Sequence, residues 1–212
     1  ITASAGTSNT RVGVNTGNSI ASGGNYNVFV GDEAGTATTT GDNNVAIGYA
    51  ALDAATDSSN VTAVGYNALT ALTATGDRLD TAVGAQALAA LTDGFHNVAV
   101  GYASLDALTH GERNIAVGRN ALGSDTKGNY STAIGDSTLA TQNFTSDTDA
   151  YNTAVGYKAG IVVTTGVSNT LIGALSGDAL TDADNNVAVG NYALSTDTLG
   201  SRSTAIGTGS LQ

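Results

Sequence analysis

One period runs the length of this chain. A glycine preceded by Val or Ile recurs at positions 13, 31, 48, 65, 84, 101, 118, 135, 156, 173, 190 and 207, and eight of the eleven gaps are 17 residues. The motif is clearest at 97–105, Asn-Val-Ala-Val-Gly-Tyr-Ala-Ser-Leu, with near-copies at 44–52 and 186–194. A repeat this short cannot bury a core alone, so each unit must stack on its neighbours. The expected fold is an all-β parallel β-solenoid of about twelve coils of ~17 residues, a single domain spanning 1–212. The first coils, 1–35, are irregular. Small insertions enter near 73–80 and 142–150, where the gaps widen to 19 and 21 residues.

The columns of the repeat carry the packing. The residue before the glycine is Val or Ile in all twelve copies, and the one three before it is Val, Ile or Thr in all twelve. β-Branched residues favour extended backbone, and positions two apart share one face of a strand. They are expected to line the lumen, with Leu, four after the glycine in eight copies, closing the core from the next side. Between them stands Ala in nine copies: Ala46, Ala63, Ala82, Ala99, Ala116, Ala133, Ala154, Ala188 and Ala205. On this reading the alanines point outward. A solvent-facing column would more often carry Thr, Lys or Glu, so a uniform methyl predicts close contact with another copy of the chain.

The motif glycine marks a corner that needs positive φ or close backbone approach. A second glycine, seven residues earlier in eight copies, marks another corner. Asn stands four before the glycine in eight copies. It either bonds from coil to coil as a ladder or only tolerates a turn conformation. The Ala/Leu segments such as 85–92 admit a short helix, but they are short and are bracketed by β-branched strands every repeat.

Composition excludes several classes of function. The chain has no Cys, Met, Trp or Pro, and seven basic against eighteen acidic residues give a net charge of −11. No basic patch is present to release counterions, so nucleic acid is not an expected partner, and an anionic membrane surface is disfavoured likewise. No apolar run is long enough to span a bilayer as a helix. Disulfide stapling is excluded.

Candidate chemistry is sparse. His96 and His110 fall in different columns, and no nucleophile–base motif accompanies them, so the chain is not expected to be an enzyme. No cofactor is expected. Calcium is the ion an acidic solenoid would most naturally hold, with Asp147 and Asp149, or Asp182 and Asp184, as the nearest ligand pairs. The glycine-rich repeat of calcium-binding solenoids is absent. The insertion 142–150 is the candidate receptor-contacting loop, through Asn143, Phe144, Asp147 and Asp149. Tyr49, Tyr66, Tyr102 and Tyr157 share one column and read either as an exposed ladder for carbohydrate stacking or as rims over the core. Ice binding would require a regular Thr-x-Thr row, and Thr38–Thr40 has no counterpart in successive coils.

The phrase at 97–101, and the longer one Asn152-Thr153-Ala154-Val155-Gly156-Tyr157-Lys158-Ala159, resemble the head repeat of YadA-like trimeric autotransporter adhesins and related arrays in bacteriophage tail fibres. The resemblance covers essentially the whole chain. It implies a left-handed parallel β-roll, three chains side by side, exposed on a cell or virion surface. The adhesin head repeat is typically shorter, which leaves the coil cross-section open, and no binding residues carry over. The expected function is a structural or adhesive extracellular fibre segment, a homotrimer meeting a host receptor, glycan or matrix. Gln212 and Ile1 fall at nearly the same phase of the repeat. That phase match raises two further expectations, a piece of a longer fibre or a head-to-tail filament.

Overall fold

The computed structural model describes residues 6–211; the phase match of Ile1 with Gln212 lies outside them. Each coil contributes one three-residue strand: Thr10–Val12, Val28–Val30, Val45–Ile47, Thr62–Val64, Thr81–Val83, Val98–Val100, Ile115–Val117, Thr132–Ile134, Thr153–Val155, Thr170–Ile172, Val187–Val189 and Thr204–Ile206. They pair in chain order into one 12-stranded sheet. Pairing is parallel and in register, Val98 against Ile115, Ala99 against Ala116 and Val100 against Val117. The fold is an all-β parallel solenoid, with no helix among the described residues. The 85–92 segment is a series of turns, with Gln86 and Leu88 at φ of 61° and 51°.

The strands face the opposite way from the expectation. Ala46, Ala63, Ala82, Ala99, Ala116, Ala133, Ala154, Ala188 and Ala205 are all buried inside the coil of their own chain. They cannot be contacts with another copy. The β-branched residues on either side point out: Val100, Ile115, Ile134 and Ile172 are exposed. The cause is cross-section. A coil this small leaves only methyl depth behind the strand once leucines enter from the other walls. β-Branched residues keep their preference for extended backbone on either face.

The other walls come from the turns. Leu52, Leu69, Leu88, Leu105, Leu122, Leu139 and Leu194, four after the glycine, are buried as expected. A third wall, seven after the glycine, holds Ile20, Leu72, Leu91, Leu108, Val163 and Leu180. The leucines of the second wall sit in left-handed backbone, Leu105 at φ 50°. That conformation costs about 1–2 kcal/mol for an L-residue. Burying a whole leucine returns about 1.5–3 kcal/mol, so burial wins.

Where the strand carries a large residue the second wall is glycine. A Cβ at Gly35 would lie 2.6 Å from the Phe29 ring, and one at Gly177 2.7 Å from Leu171 Cδ2. The two columns therefore share one volume, and a large strand residue also claims the second-wall site of the coil before it: a Cβ at Gly17 would lie 2.7 Å from Phe29, and one at Gly160, in the coil of Ala154, 2.7 Å from Leu171. The corner glycine is required twice over. Gly101 has φ 136°, and a Cβ there would come within 2.5 Å of the Gly118 carbonyl oxygen.

Candidate functional site

The asparagine column is a buried ladder, and it runs through the backbone. Asn97 Oδ1 accepts the Asn114 N–H at 3.0 Å, and Asn97 Nδ2 donates to the Gly111 carbonyl at 2.9 Å. The same pair of bonds recurs from Asn27, from Asn44, from Asn114 and from Asn169. Each side chain thus ties its own coil to the next at two places. A threonine column eight after the glycine adds a third tie: Thr92 donates to the Thr109 carbonyl, Thr109 to that of Thr126 and Thr181 to that of Thr198. Its nine threonines were legible as a column but carry no pattern that distinguishes a tie from a surface residue.

Two carboxylates stand inside this structure. Asp80 occupies the asparagine column and is 1% exposed. Its Oδ1 accepts from the Asn97 N–H at 2.7 Å and from Asn97 Nδ2 at 3.2 Å, while Oδ2 has no partner. Burial pushes its carboxyl up to about 7, against the Asn97 hydrogen bonds that pull it down. Asp125 stands in the third wall, and burial raises it too. It accepts from Gln142 Nε2 at 2.5 Å, from the Gly128 N–H at 3.0 Å and from the Phe144 N–H at 3.2 Å.

The residues singled out from the sequence do not converge. In the insertion, Asn143, Asp147 and Asp149 are exposed, but Phe144 is buried at 5% exposure and anchors the loop, which removes it as a receptor contact. An apolar ring next to a third wall finds more area inside than at a loop tip. Asp149 is engaged by Tyr151 Oη at 3.1 Å and Asn129 Nδ2 at 3.2 Å. Asp184 accepts the Val167 N–H at 2.8 Å. His96 packs its ring edge on Phe95 at 5.0 Å, and His110 Nδ1 lies 3.0 Å from Thr109 Oγ1. Among the described residues no three His, Asp or Glu side chains are grouped to hold a metal ion. An open groove of about 350 Å³ is lined by Asp106, Asn120, Gly123, Ser124, Ala140 and Thr141. Its one carboxylate, Asp106, is raised by burial.

Two outward surfaces have regular geometry. The first is the strand face, a strip of Val, Ile and Thr repeated in every coil. It measures about 57 Å by ~10 Å from the strand spacing and rise. The second is the pair of aromatic and charged edges that flank it, one directly after the corner glycine and one five residues before it. Tyr49 and Tyr66 stack at 5.8 Å with 14° between their planes. Tyr130 and Tyr151 stack at 5.2 Å, and the Arg113 guanidinium lies over Tyr130 at 5.5 Å and over Phe95 at 5.1 Å. Arg119 makes two bonds to Asp136, at 2.9 and 3.0 Å, and the Ser137 hydroxyl together with Arg119 holds that carboxyl below its usual range.

Compared with known proteins, the chain matches no family model, no curated protein and no solved structure. The reading of function rests on these surfaces.

Proposed function

We propose that this chain is a non-enzymatic segment of an extracellular fibre, the rigid shaft or head of a surface adhesin or phage fibre, related to YadA-like heads and assembled as a homotrimer. The observation that carries this reading is the outward strip. Twelve in-register strands present β-branched residues along one straight face. The residue before the corner glycine is Val or Ile in every coil, so an apolar row runs the length of this face, and a continuous exposed apolar row is a mark of an interaction surface. Three such strips converging on a threefold axis would close into a shared core, which is the closed symmetry expected of a homo-oligomer. The polar side chains inside the chain support a structural role, because the asparagine and threonine columns are consumed in coil-to-coil ties.

The oligomer contact is thereby assigned to Val100, Ile115, Ile134, Ile172 and their equivalents. Sedimentation equilibrium tests it. The chain should sediment at three times its 20.8 kDa mass, and Val100→Lys with Ile134→Lys should sediment as a single folded chain. A wild-type monomer would remove the trimer, and an unchanged mass in the double variant would remove this face. Electron microscopy of the wild type should show straight rods.

A further inference from the structure

The column that follows the corner glycine reads Tyr49, Tyr66, Ala85, Tyr102 over four successive coils. Backbone bonds set the register: the Gln86 N–H donates to the Tyr66 carbonyl at 2.8 Å, and the Ala103 N–H to the Ala85 carbonyl at 3.0 Å. Tyr66 and Tyr102 therefore stand two coil steps apart, about 9.6 Å. The Tyr49–Tyr66 stack gives the attitude a ring takes in this column, face toward the next coil. Tyr66 is 54% exposed although Tyr49 covers one of its faces, and Tyr102 is equally exposed. Between them the column holds Ala85, whose side chain is a single methyl where its neighbours carry rings. A flat ring placed midway would lie ~4.8 Å from each tyrosine, inside the range of stacked rings.

The geometry points to a slot, formed by Tyr66, Ala85 and Tyr102, that takes a neutral hexopyranose residue of a glycan. A pyranose has two C–H faces for two aromatic faces and a rim of hydroxyls for the open side. Asn67 and Gln86, the half-buried residues next along the chain, carry amides that both donate and accept. The net charge of −11, with Asp32 in the same column one coil before Tyr49 and Glu33 next to it in the chain, disfavours sulfated or acidic sugars. This inference rests on the reading of the chain as an exposed fibre, and it names the class of partner that the fibre meets.

The test follows cellohexaose, maltohexaose and α-1,6-mannohexaose by proton NMR as each is titrated with the assembled protein. At least one should bind with a Kd on the order of 1 mM, its ring C–H protons moved upfield by the tyrosine ring currents. Tyr66→Ala and Tyr102→Ala should each weaken binding roughly tenfold. Ala85→Tyr, which completes the column, should abolish binding while leaving the sedimentation mass and Tm unchanged. No upfield shift with any of the three sugars overturns the slot, as does undiminished binding by Ala85→Tyr. Tighter binding of N-acetyltyrosinamide than of the sugars also overturns it and identifies an aromatic side chain of a protein as the occupant. Mass is measured on the same samples, so a sugar-binding monomer defeats only the trimer and a silent trimer defeats only the slot.

Discussion

The asparagine ladder is interrupted twice, and the chain meets the two interruptions differently. Both fall beside the insertions, and each carries a two-stranded accessory pairing: Ser58–Ser59 with Gly76–Asp77, and Gly128–Asn129 with Thr148–Asp149. At the first, Asn44 hands on to the Val61 N–H at 3.0 Å, Val61 has no side-chain acceptor to continue with, and the ladder restarts from Asp80 with its Oδ2 unpartnered. At the second, Asn114 hands on to Ser131 at 2.9 Å, and Gln142 bridges the shortfall. Its Nε2 donates to Asp125 and to Ser131 Oγ at 3.1 Å, and its Oε1 accepts from Asn152 Nδ2 at 2.9 Å. A missing rung in a buried polar row must be made good by a side chain or by a proton. The second break uses a side chain, and the first is left to a proton on Asp80.

The largest effect should come from breaking the better-satisfied site. Gln142→Ala leaves the Asp125 Oδ2 and Ser131 Oγ atoms without a partner in a closed interior, while Asp125 Oδ1 keeps the Gly128 and Phe144 N–H groups and Asn152 keeps the Gly166 carbonyl. Each buried polar group left without a partner costs about 1–3 kcal/mol, more when charged, so a loss of about 5 kcal/mol is expected. Urea unfolding at pH 7 measures it. A loss below about 1 kcal/mol would mean that the bridge is dispensable.

The first site should show itself through pH. A carboxyl whose pKa is near 7 in the folded chain and near 3.8 in the unfolded one binds its proton more tightly when folded. Its contribution is complete below about pH 4 and is lost as pH rises through 7. Asp80→Asn keeps an acceptor for Asn97 and supplies a permanent donor where Oδ2 stands bare. It should leave stability unchanged near pH 4 and raise it by about 4 kcal/mol at pH 8. Asp125, Asp106 and Asp178 are also raised by burial, so the slope that remains in Asp80→Asn is shared among them. Thermal unfolding of both forms across pH 4–8 reads the difference, and parallel profiles would refute the assignment.

These two sites also mark how far the sequence was legible. Period, corner glycines and the leucine wall all follow from columns, because a solenoid repeats its cross-section; the asparagine column showed as well, but whether it bonds as a ladder or tolerates a turn was decided only by the fold. Strand facing did not, since β-branching reports extended backbone rather than burial. The signal that would have set it was the exchange of volume: Phe29 and Leu171 replace alanine where Gly35 and Gly177 replace leucine. Residues that trade size share a space, which puts the alanine column inside. Gln142 and Asp125 were legible in the same way, as successive polar residues after Leu72, Leu91 and Leu108 in one column. The partners of Gln142 were not, because two of them, Ser131 and Asn152, stand in the asparagine column, which only the fold brings beside the third wall.

The smallest expected effect is the one that would make the two sites alike. Val61 is fully buried, and asparagine is close to it in volume, so Val61→Asn adds an amide without demanding space. Its Oδ1 would stand one coil from Asp80, as Asn44 Oδ1 stands from Val61, and its Nδ2 would face the carbonyls of the next corner. A restored buried rung should stabilise by about 1 kcal/mol at pH 4. Loss of the apolar side chain works against that gain, which is why the expected effect is small. The sharper reading comes from combining Val61→Asn with Asp80→Asn. Neighbouring members of one hydrogen-bonded row do not act additively, and the double variant, a continuous ladder from Asn27 to Asn114, should exceed the sum of the single ones. Strict additivity in urea unfolding would show that rungs act singly and that the first break is a local defect rather than a gap in a cooperative row.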